Sequence, residues 1–433
     1  MFSKKYANKI TTTYLQMIVQ IIIPLLLLPY MVMKLESDLY GLWVLFSTII
    51  GYFGLTGFGF GTTFLKEVSK QDDFKYVSRY LSSTLFLYIT ISSLAMFIFL
   101  YLLIHLDTIF LIPNTLIFEA KWSFIIFFVV FFINFISSLF GTLLFAKDML
   151  HIQNYISIGN SIVTAIFMFV ALYYGYMLIT LALINLFMSI ASAIYIYNMA
   201  NKKIMFTISS KYFDLSLLKE MLKPSMHYFI ITASAMIILS SDNIVISSLI
   251  GVGSVAVYAI GYKLVAISQS LLFKIVDIMI PDIARLDEKG KYKEILKLHN
   301  KTLLFSLILG LLGYGFLFIY GSTILEWWVG PKYVLDENIL RIFIAFGMLH
   351  AGVHVSAIFI VAMGVHRETS YMTMLDAFFN VVFSIVLLQY YGLFGVALGT
   401  LLAHLLTSAW FTSWWFYKQI NIKINENNGF PLE

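Results

Sequence analysis

Ser241-Asp242-Asn243-Ile244-Val245-Ile246-Ser247-Ser248-Leu249-Ile250-Gly251-Val252-Gly253 begins a run that continues through Tyr258, Lys263 and Lys274 to Pro281 and Arg285. Read as a helical hairpin turning at Gly251-Val252-Gly253, it sets Asp242 and Lys263 equally far from the turn, roughly 16 Å at 1.5 Å per residue. An acid and a base then share one depth inside hydrocarbon. A charge there costs about 2.5–3.5 kcal/mol even on insertion scales, so it is expected to pair or to line a cavity.

The surrounding composition agrees with hydrocarbon. Of 433 residues, 60% are hydrophobic and 12% charged, about half the charge of a soluble chain. Long apolar runs recur from end to end, which predicts an all-α polytopic membrane protein. The short alternating segments of a membrane β-barrel are absent. About twelve spans can be drawn, among them 10–33, 39–60, 226–249, 255–280, 369–390 and 393–416. With no cysteine, disulfides and thiol chemistry are excluded. No G-x-x-x-x-G-K-[ST] occurs, which excludes transport driven by an ATPase of its own. The basic segment Met1–Lys9 leads into a first helix expected to stay attached.

Most lysines and arginines fall in alternate connections, such as Lys66–Arg79, Lys202–Lys223 and Arg285–Lys301. The positive-inside rule then puts both termini in the cytoplasm and makes the number of spans even. Matches recur at an offset of about 218 residues, pairing Tyr40 with Tyr258 and Phe74-Lys75 with Tyr292-Lys293, and at nearly the same offset Tyr173-Tyr174-Gly175 with Tyr390-Tyr391-Gly392. This predicts two parallel-repeat six-helix bundles around a central cavity. Their expected bounds are 1–200 and 225–418, with a basic cytoplasmic linker at 201–224 and a cytoplasmic tail at 419–433.

Asp242 and Lys263 are the sharpest candidates, as a cavity-facing ion pair or as a salt bridge that only locks the hairpin. Lys274 and Asp277 share a helix face nearer the cytoplasm, where Asp277 is expected to snorkel and Lys274 could face a cavity mouth. His350 and His354 are four apart in mid-span, and His404 lies in the last span. Each alone reads as a hydrogen-bonded histidine between helices, and together they suggest a polar cavity or proton relay. Arg341 opens the same span as His350, near the outer interface. Asp376 shares a face with Asn380 and is either a proton carrier or a hydrogen-bonded acid. Pro24 and Pro29 are expected to bend the first span and suit a gate. Gly51, Gly54, Gly57, Gly59 and Gly61 read as close helix packing. Segment 285–301 reads as a surface helix on anionic headgroups. No convergent metal ligands and no cofactor motif are seen.

Tyr40-Gly41-Leu42-Trp43, Gly51-Tyr52-Phe53-Gly54-Leu55 and Phe58-Gly59-Phe60-Gly61 resemble the second helix of polysaccharide flippases. Ser241-Asp242-Asn243, Val257-Tyr258 and Pro281-Asp282-Ile283-Ala284 resemble their seventh and eighth helices, and Tyr391-Gly392-Leu393-Phe394-Gly395-Val396-Ala397-Leu398-Gly399-Thr400 their last hairpin. The likeness, to O-antigen or capsular repeat-unit flippases of the multidrug/oligosaccharidyl-lipid/polysaccharide exporter superfamily, covers nearly the whole chain. It implies alternating-access movement of undecaprenyl-diphosphate-linked oligosaccharide to the outer leaflet of a bacterial inner membrane, ion-driven in some members. It also implies membrane lipids, a polysaccharide polymerase and a chain-length regulator as partners, and no nucleic acid. Only Asp242 stands on a recognisable family position, and Gly57 replaces an acid common in the family. A cationic cavity of Lys263, Lys274, Arg341, His350 and His354, and a coupling role for Asp242 and Asp376, are expectations from depth. The alternatives are a drug or small-molecule antiporter of the same superfamily, and a membrane-embedded polymerase or ligase, which the short external loops disfavour.

Overall fold

The computed structural model describes residues 4–427, with side chains from residue 11 onward except at 224, 227 and 228. Among the described residues there is no strand, and ten helical segments are long and apolar enough to cross a membrane. The chain divides into two compact units, Met1–Ala233 with Ser247–Ala256, and Ser234–Ile246 with Val257–Glu433. Residues 428–433 of the expected tail lie outside the described residues.

In the first unit, α1 (Lys4–Gly54) holds two spans rather than one. Its apolar segment Thr11–Gly57 has 47 residues. At 1.5 Å per residue that is about 70 Å, over twice the ~30 Å hydrocarbon core. The backbone leaves helical geometry at Glu36 (φ 59°, ψ −178°). Pro24 and Pro29 lie within the first arm, and the break at Glu36 falls in the expected connection between the two spans.

Short α2 (Phe60–Val68) and α3 (Phe74–Ile104) follow, then one-turn α4 (Leu106–Ile109), α5 (Ile117–Ala146), α6 (Leu150–Tyr173) and α7 (Leu178–Lys203). Asn154 of α6 donates to Thr12 and Thr13, Gln16 donates to Ser157, and Tyr30 stacks on Phe169, so the first arm of α1 runs parallel to α6. Beyond Glu36, Phe46 packs on Phe124 and Phe53 on Phe131, so the second arm runs parallel to α5. Since α5 and α6 are joined by a tight turn at Asp148 (φ 59°), the two arms are antiparallel. Phe99, Phe124, Phe128, Phe131 and Phe135 complete an aromatic core between α1, α3 and α5.

The glycine cluster does more than pack. A Cβ at Gly57 would meet the Phe135 ring at 3.1 Å, as a packing role requires. The helix also breaks there, with a 3-10 turn at Leu55–Gly57 and left-handed Phe58 and Gly59. Four glycines within eight residues cost too much backbone entropy for an unbroken helix.

In the expected linker, the strand-like stretch after α7 lies along α3. Ser78 accepts from the Thr207 amide, Ser82 from Ser209 and Ser83 from Asp214. Arg79 pairs with Asp214, whose side chain also accepts from Ser216. Lys147 donates to the last carbonyl of α2, Val68, and to Asp72.

Next, α8 (Leu215–Leu249) and α9 (Val252–Asp277) form the hairpin predicted from sequence. Its tip belongs to the first unit. The Leu111 amide donates to the Ser247 carbonyl, and a Cβ at Gly41 would overlap the Val252 carbonyl.

The second unit continues with α10 (Ile280–Glu288), α11 (Tyr292–Val329), α12 (Glu337–Ala362), α13 (Arg367–Leu406) and α14 (Ser408–Asn427). The expected surface helix 285–301 is instead the end of α10, a turn at Gly290 (φ 66°) and the first turns of α11. Lys423 pairs with Asp287, and Asn427 donates to the Gly290 carbonyl, so α14 packs on that turn. Val276, Ile283, Ile295, Phe359 and Phe416 form an apolar core here. The repeat is visible in the elements, since α3 and α11 start at Phe74 and Tyr292 and α6 and α13 start at Leu150 and Arg367, again an offset of about 218.

The Ser216 hydroxyl and then Arg79 hold the Asp214 carboxyl well below the usual range, and Lys147 lowers Asp72. A depressed carboxylate contributes stability above its unfolded pKa and loses it as pH falls through the folded value. Asp214→Asn should therefore lower the melting temperature of the purified protein at pH 7. The gap should close as the pH falls below about 4. A gap that stays constant with pH would show that Asp214 does not anchor the linker.

Candidate functional site

The second unit is built around a polar ladder inside α13. This helix folds back on itself at Gly392 (φ 57°, ψ −139°). The two arms touch because small residues line one of them. A Cβ at Gly395 would overlap the Leu387 carbonyl, and one at Gly399 would lie 2.7 Å from the Ser384 nitrogen. With Ala403, these residues repeat every four positions, the spacing that lets membrane helices approach.

Three rungs cross between the arms, each four residues from the next on both sides. Ser384 donates to the Val396 carbonyl (3.4 Å), Asn380 Nδ2 donates to Thr400 Oγ1 (2.8 Å), and Asp376 Oδ2 is hydrogen-bonded to His404 Nδ1 (2.8 Å). Four residues are close to one helical turn, so each set of three shares a face. All these side chains are buried.

Asp242 enters the ladder from α8. Its carboxylate accepts from Tyr258 (2.6 Å), Thr400 (3.0 Å) and Ser384 (3.1 Å). Its neighbour Ser241 donates to Asn380 Oδ1 at 2.9 Å. Asp242 is only 8% exposed and has no cationic partner among the described residues. Hydrogen bonds to a charged group contribute about 1.5–3 kcal/mol each, so three of them offset a large part of the burial cost. The carboxylate is thus held by three hydroxyl donors.

Lys263 does not pair with Asp242. It is exposed and forms no ion pair among the described residues. The hairpin turns between Leu249 and Val252, nearer Asp242 than the Gly251–Gly253 centre assumed from sequence. That puts Tyr258 level with Asp242. Lys263 lies five residues further, about 140° around the helix.

The other candidates form two groups and one outlier. His354 Nε2 meets Asp277 Oδ1 at 2.9 Å, and Lys274 reaches the same carboxylate at 3.5 Å. His350 stacks on His404 with ring centroids 5.2 Å apart, beside the Asp376 rung. Arg341 is an exposed residue paired with Glu337 at 2.6 Å and packed over Phe318, so it is satisfied in the first turn of α12 rather than gathered with the histidines. Sequence reasoning missed Ser384 and Thr400. Their signal was the fourfold spacing from Asp376 and His404.

A sequence profile of the polysaccharide biosynthesis protein family matches residues 6–287. No curated protein matches the chain in sequence. Solved structures match in fold. An inward-facing multidrug resistance MATE family transporter of the MOP superfamily has a TM-score of 0.78 at 13% identity, over 93% of this chain and 96% of that one. The outward-facing conformation of such a transporter has 0.68 at 14%, over 97% and 96%. The lipid II flippase MurJ, inward closed, has 0.75 at 14%, over 95% and 87%. At these identities the likeness is one of fold.

Thr400→Val would leave both Asp242 and Asn380 short of a partner. It should destabilise the purified protein by about 1–3 kcal/mol. In a double-mutant cycle with Asp242→Asn the two losses should be clearly non-additive. Additive losses would mean that the hydroxyl does not serve the carboxylate. The profile match and the helical membrane fold agree: the chain belongs to the polysaccharide biosynthesis protein family.

Proposed function

We propose that this protein is a flippase. It moves undecaprenyl-diphosphate-linked oligosaccharide repeat units from the cytoplasmic to the outer leaflet of a bacterial inner membrane, by alternating access and with both termini in the cytoplasm. The polymer would be an O-antigen, lipopolysaccharide or capsule, and a polymerase and chain-length regulator would act on the product.

One observation carries the reading. Lys263 lies about 16 Å into its span, exposed and without a carboxylate partner, while the nearest mid-span acid is already satisfied by hydroxyls. An unpaired ammonium at that depth is costly against lipid tails and implies a hydrated surface. A lipid diphosphate is an anion with a large polar head, and it needs a hydrated, basic path. The family match supports a polysaccharide precursor over a drug as cargo. No bond is broken in such a step, so no catalytic constellation is required.

The test is surface polymer in a strain that lacks its own repeat-unit flippase and carries variants of this chain. Lys263→Ala, at normal membrane level, should lose most of the polymer, and Lys263→Arg should retain much of it because the positive charge remains. Normal polymer with Lys263→Ala would overturn the role of this lysine. Failure of the unaltered chain to restore any polymer in strains with matched repeat units would overturn the flippase reading.

A further inference from the structure

The inner rung of the ladder is built differently from the other two. Ser384–Val396 and Asn380–Thr400 contain no titratable side chain, whereas Asp376–His404 contains two. Asp376 is fully buried and His404 nearly so. Three polar atoms here are buried and lack a protein hydrogen-bond partner: Asp376 Oδ1, His404 Nε2 and His350 Nδ1. Buried polar atoms are normally satisfied, so three in one place point to a ligand or a chemistry.

The geometry argues against a metal. The His350 and His404 rings lie face to face at 28°, which aims their nitrogens sideways rather than at one point. Among the described residues no group of three acidic or imidazole side chains can hold an ion. A proton needs no convergence. It needs one basic nitrogen and a charge to balance it, and both are present.

A route of titratable groups leads to this rung. His354 follows His350 by one turn of α12. The Phe273 ring stacks on His354 (3.7 Å) and lies 5.3 Å from His350. His354 is bonded to Asp277, which also meets Lys274. Exposure rises along this order, to 56% for the Lys274 side chain.

We propose that Asp376, His404 and His350 form a proton-binding site, loaded through His354 and Asp277. The proton binds the Nε2 lone pair of His404, whose Nδ1–H already faces the Asp376 carboxylate. One N–H bond forms, at the expense of a hydronium ion that becomes water. The rung changes from a lone buried carboxylate to a neutral ion pair. Two stacked imidazolium ions would repel, so His350 and His404 carry one proton between them.

The groups that face the rung are few. From α13 come Asp376 and His404, and from α12 His350 and, one turn on, His354. Phe346 of α12 packs against both rings and against Ile238 of α8. From α9 come Tyr262, beside Phe346, and Gln269, Lys274 and Asp277 further along. Because Asn380 and Thr400 sit one turn from Asp376 and His404, a charge change at this rung acts directly on the rung that holds Asp242. The site would thus supply the driving ion. That link rests on the flippase reading, but the titration itself does not.

The experiment uses the full chain in lipid nanodiscs with 15N-labelled histidine, the His404 signals being assigned by their loss in His404→Gln. In a titration from pH 8.5 to 5 the His404 Nε2 signal should change from unprotonated to protonated, and Asp376→Asn, which removes the balancing charge, should oppose that change. In vesicles holding a lipid-diphosphate sugar, an imposed pH gradient should speed flipping by the unaltered chain several-fold and leave His404→Gln unaffected. A single protonation state of His404 across that range, or a full gradient response in His404→Gln, would overturn the proposal. If His404 titrates but the unaltered chain flips no lipid under any gradient, the proton site stands and the flippase reading fails. If His404→Gln does not fold, His404→Phe, which keeps a ring stacked on His350, serves for assignment and for the gradient comparison, with the same expected losses.

Discussion

The second unit depends on satisfying one buried carboxylate. Asp242 lies deep in a span, largely buried and with no cationic partner among the described residues. It is tolerable there only because three hydroxyls donate to it from three helical segments: α9 and the two arms of α13. This ties local geometry to global packing. The arms must close for Ser384 and Thr400 to reach the same carboxylate, and they close only because Gly395 and Gly399 leave no Cβ in the way. One glycine turn, two small residues and three hydroxyls therefore act together around one charge. A half-satisfied network of this sort costs more than an apolar core, which makes each member sensitive.

The same logic explains why the unit can host chemistry at all. A transporter needs charge inside hydrocarbon, and charge inside hydrocarbon needs partners that can exchange. Hydroxyls are suited to this, since each carries one proton and can donate to a carboxylate or to a backbone carbonyl. Ser384 and Thr400 both have that choice, between Asp242 and the Val396 carbonyl. The first unit solves a different problem. Its interior is an aromatic stack of phenylalanines with few charges. Its ion pairs lie at the ends of its helices, where Lys147, Arg79 and Asp214 tie loops down. Among its irregularities is the glycine break at Leu55–Gly59, where the family resemblance expected an acid at Gly57.

Two candidate residues show how depth misleads. Lys263 and Asp242 were matched by counting from a turn, and the turn was centred two residues too late. The matched position therefore moves from Lys263 to Tyr258, five residues and about 140° around the helix, which exchanges a lysine for an aromatic donor. Arg341 was placed in a cavity because it begins a span that also holds His350. It lies in the first turns of α12, where Glu337 one turn earlier neutralises it at low cost. His354 and Asp277 were read separately, as a relay member and a snorkelling acid, and the structure joins them in one pair.

The sequence alone determined the solvent and the element type. Sixty per cent hydrophobic residues in runs of span length can fold only as membrane helices, and a repeat near 218 residues survives in the helix starts. It also determined which residues were out of place: Asp242, Asp376, His350, His354 and His404 are polar groups in apolar runs, and such groups must find partners. It did not determine which partners. That choice depends on helix rotation and on how closely backbones approach. Both are set by contacts among segments more than a hundred residues apart, as Thr400 is from Asp242. A periodic apolar pattern says that a helix buries a face, but only the packed structure decides what that face meets.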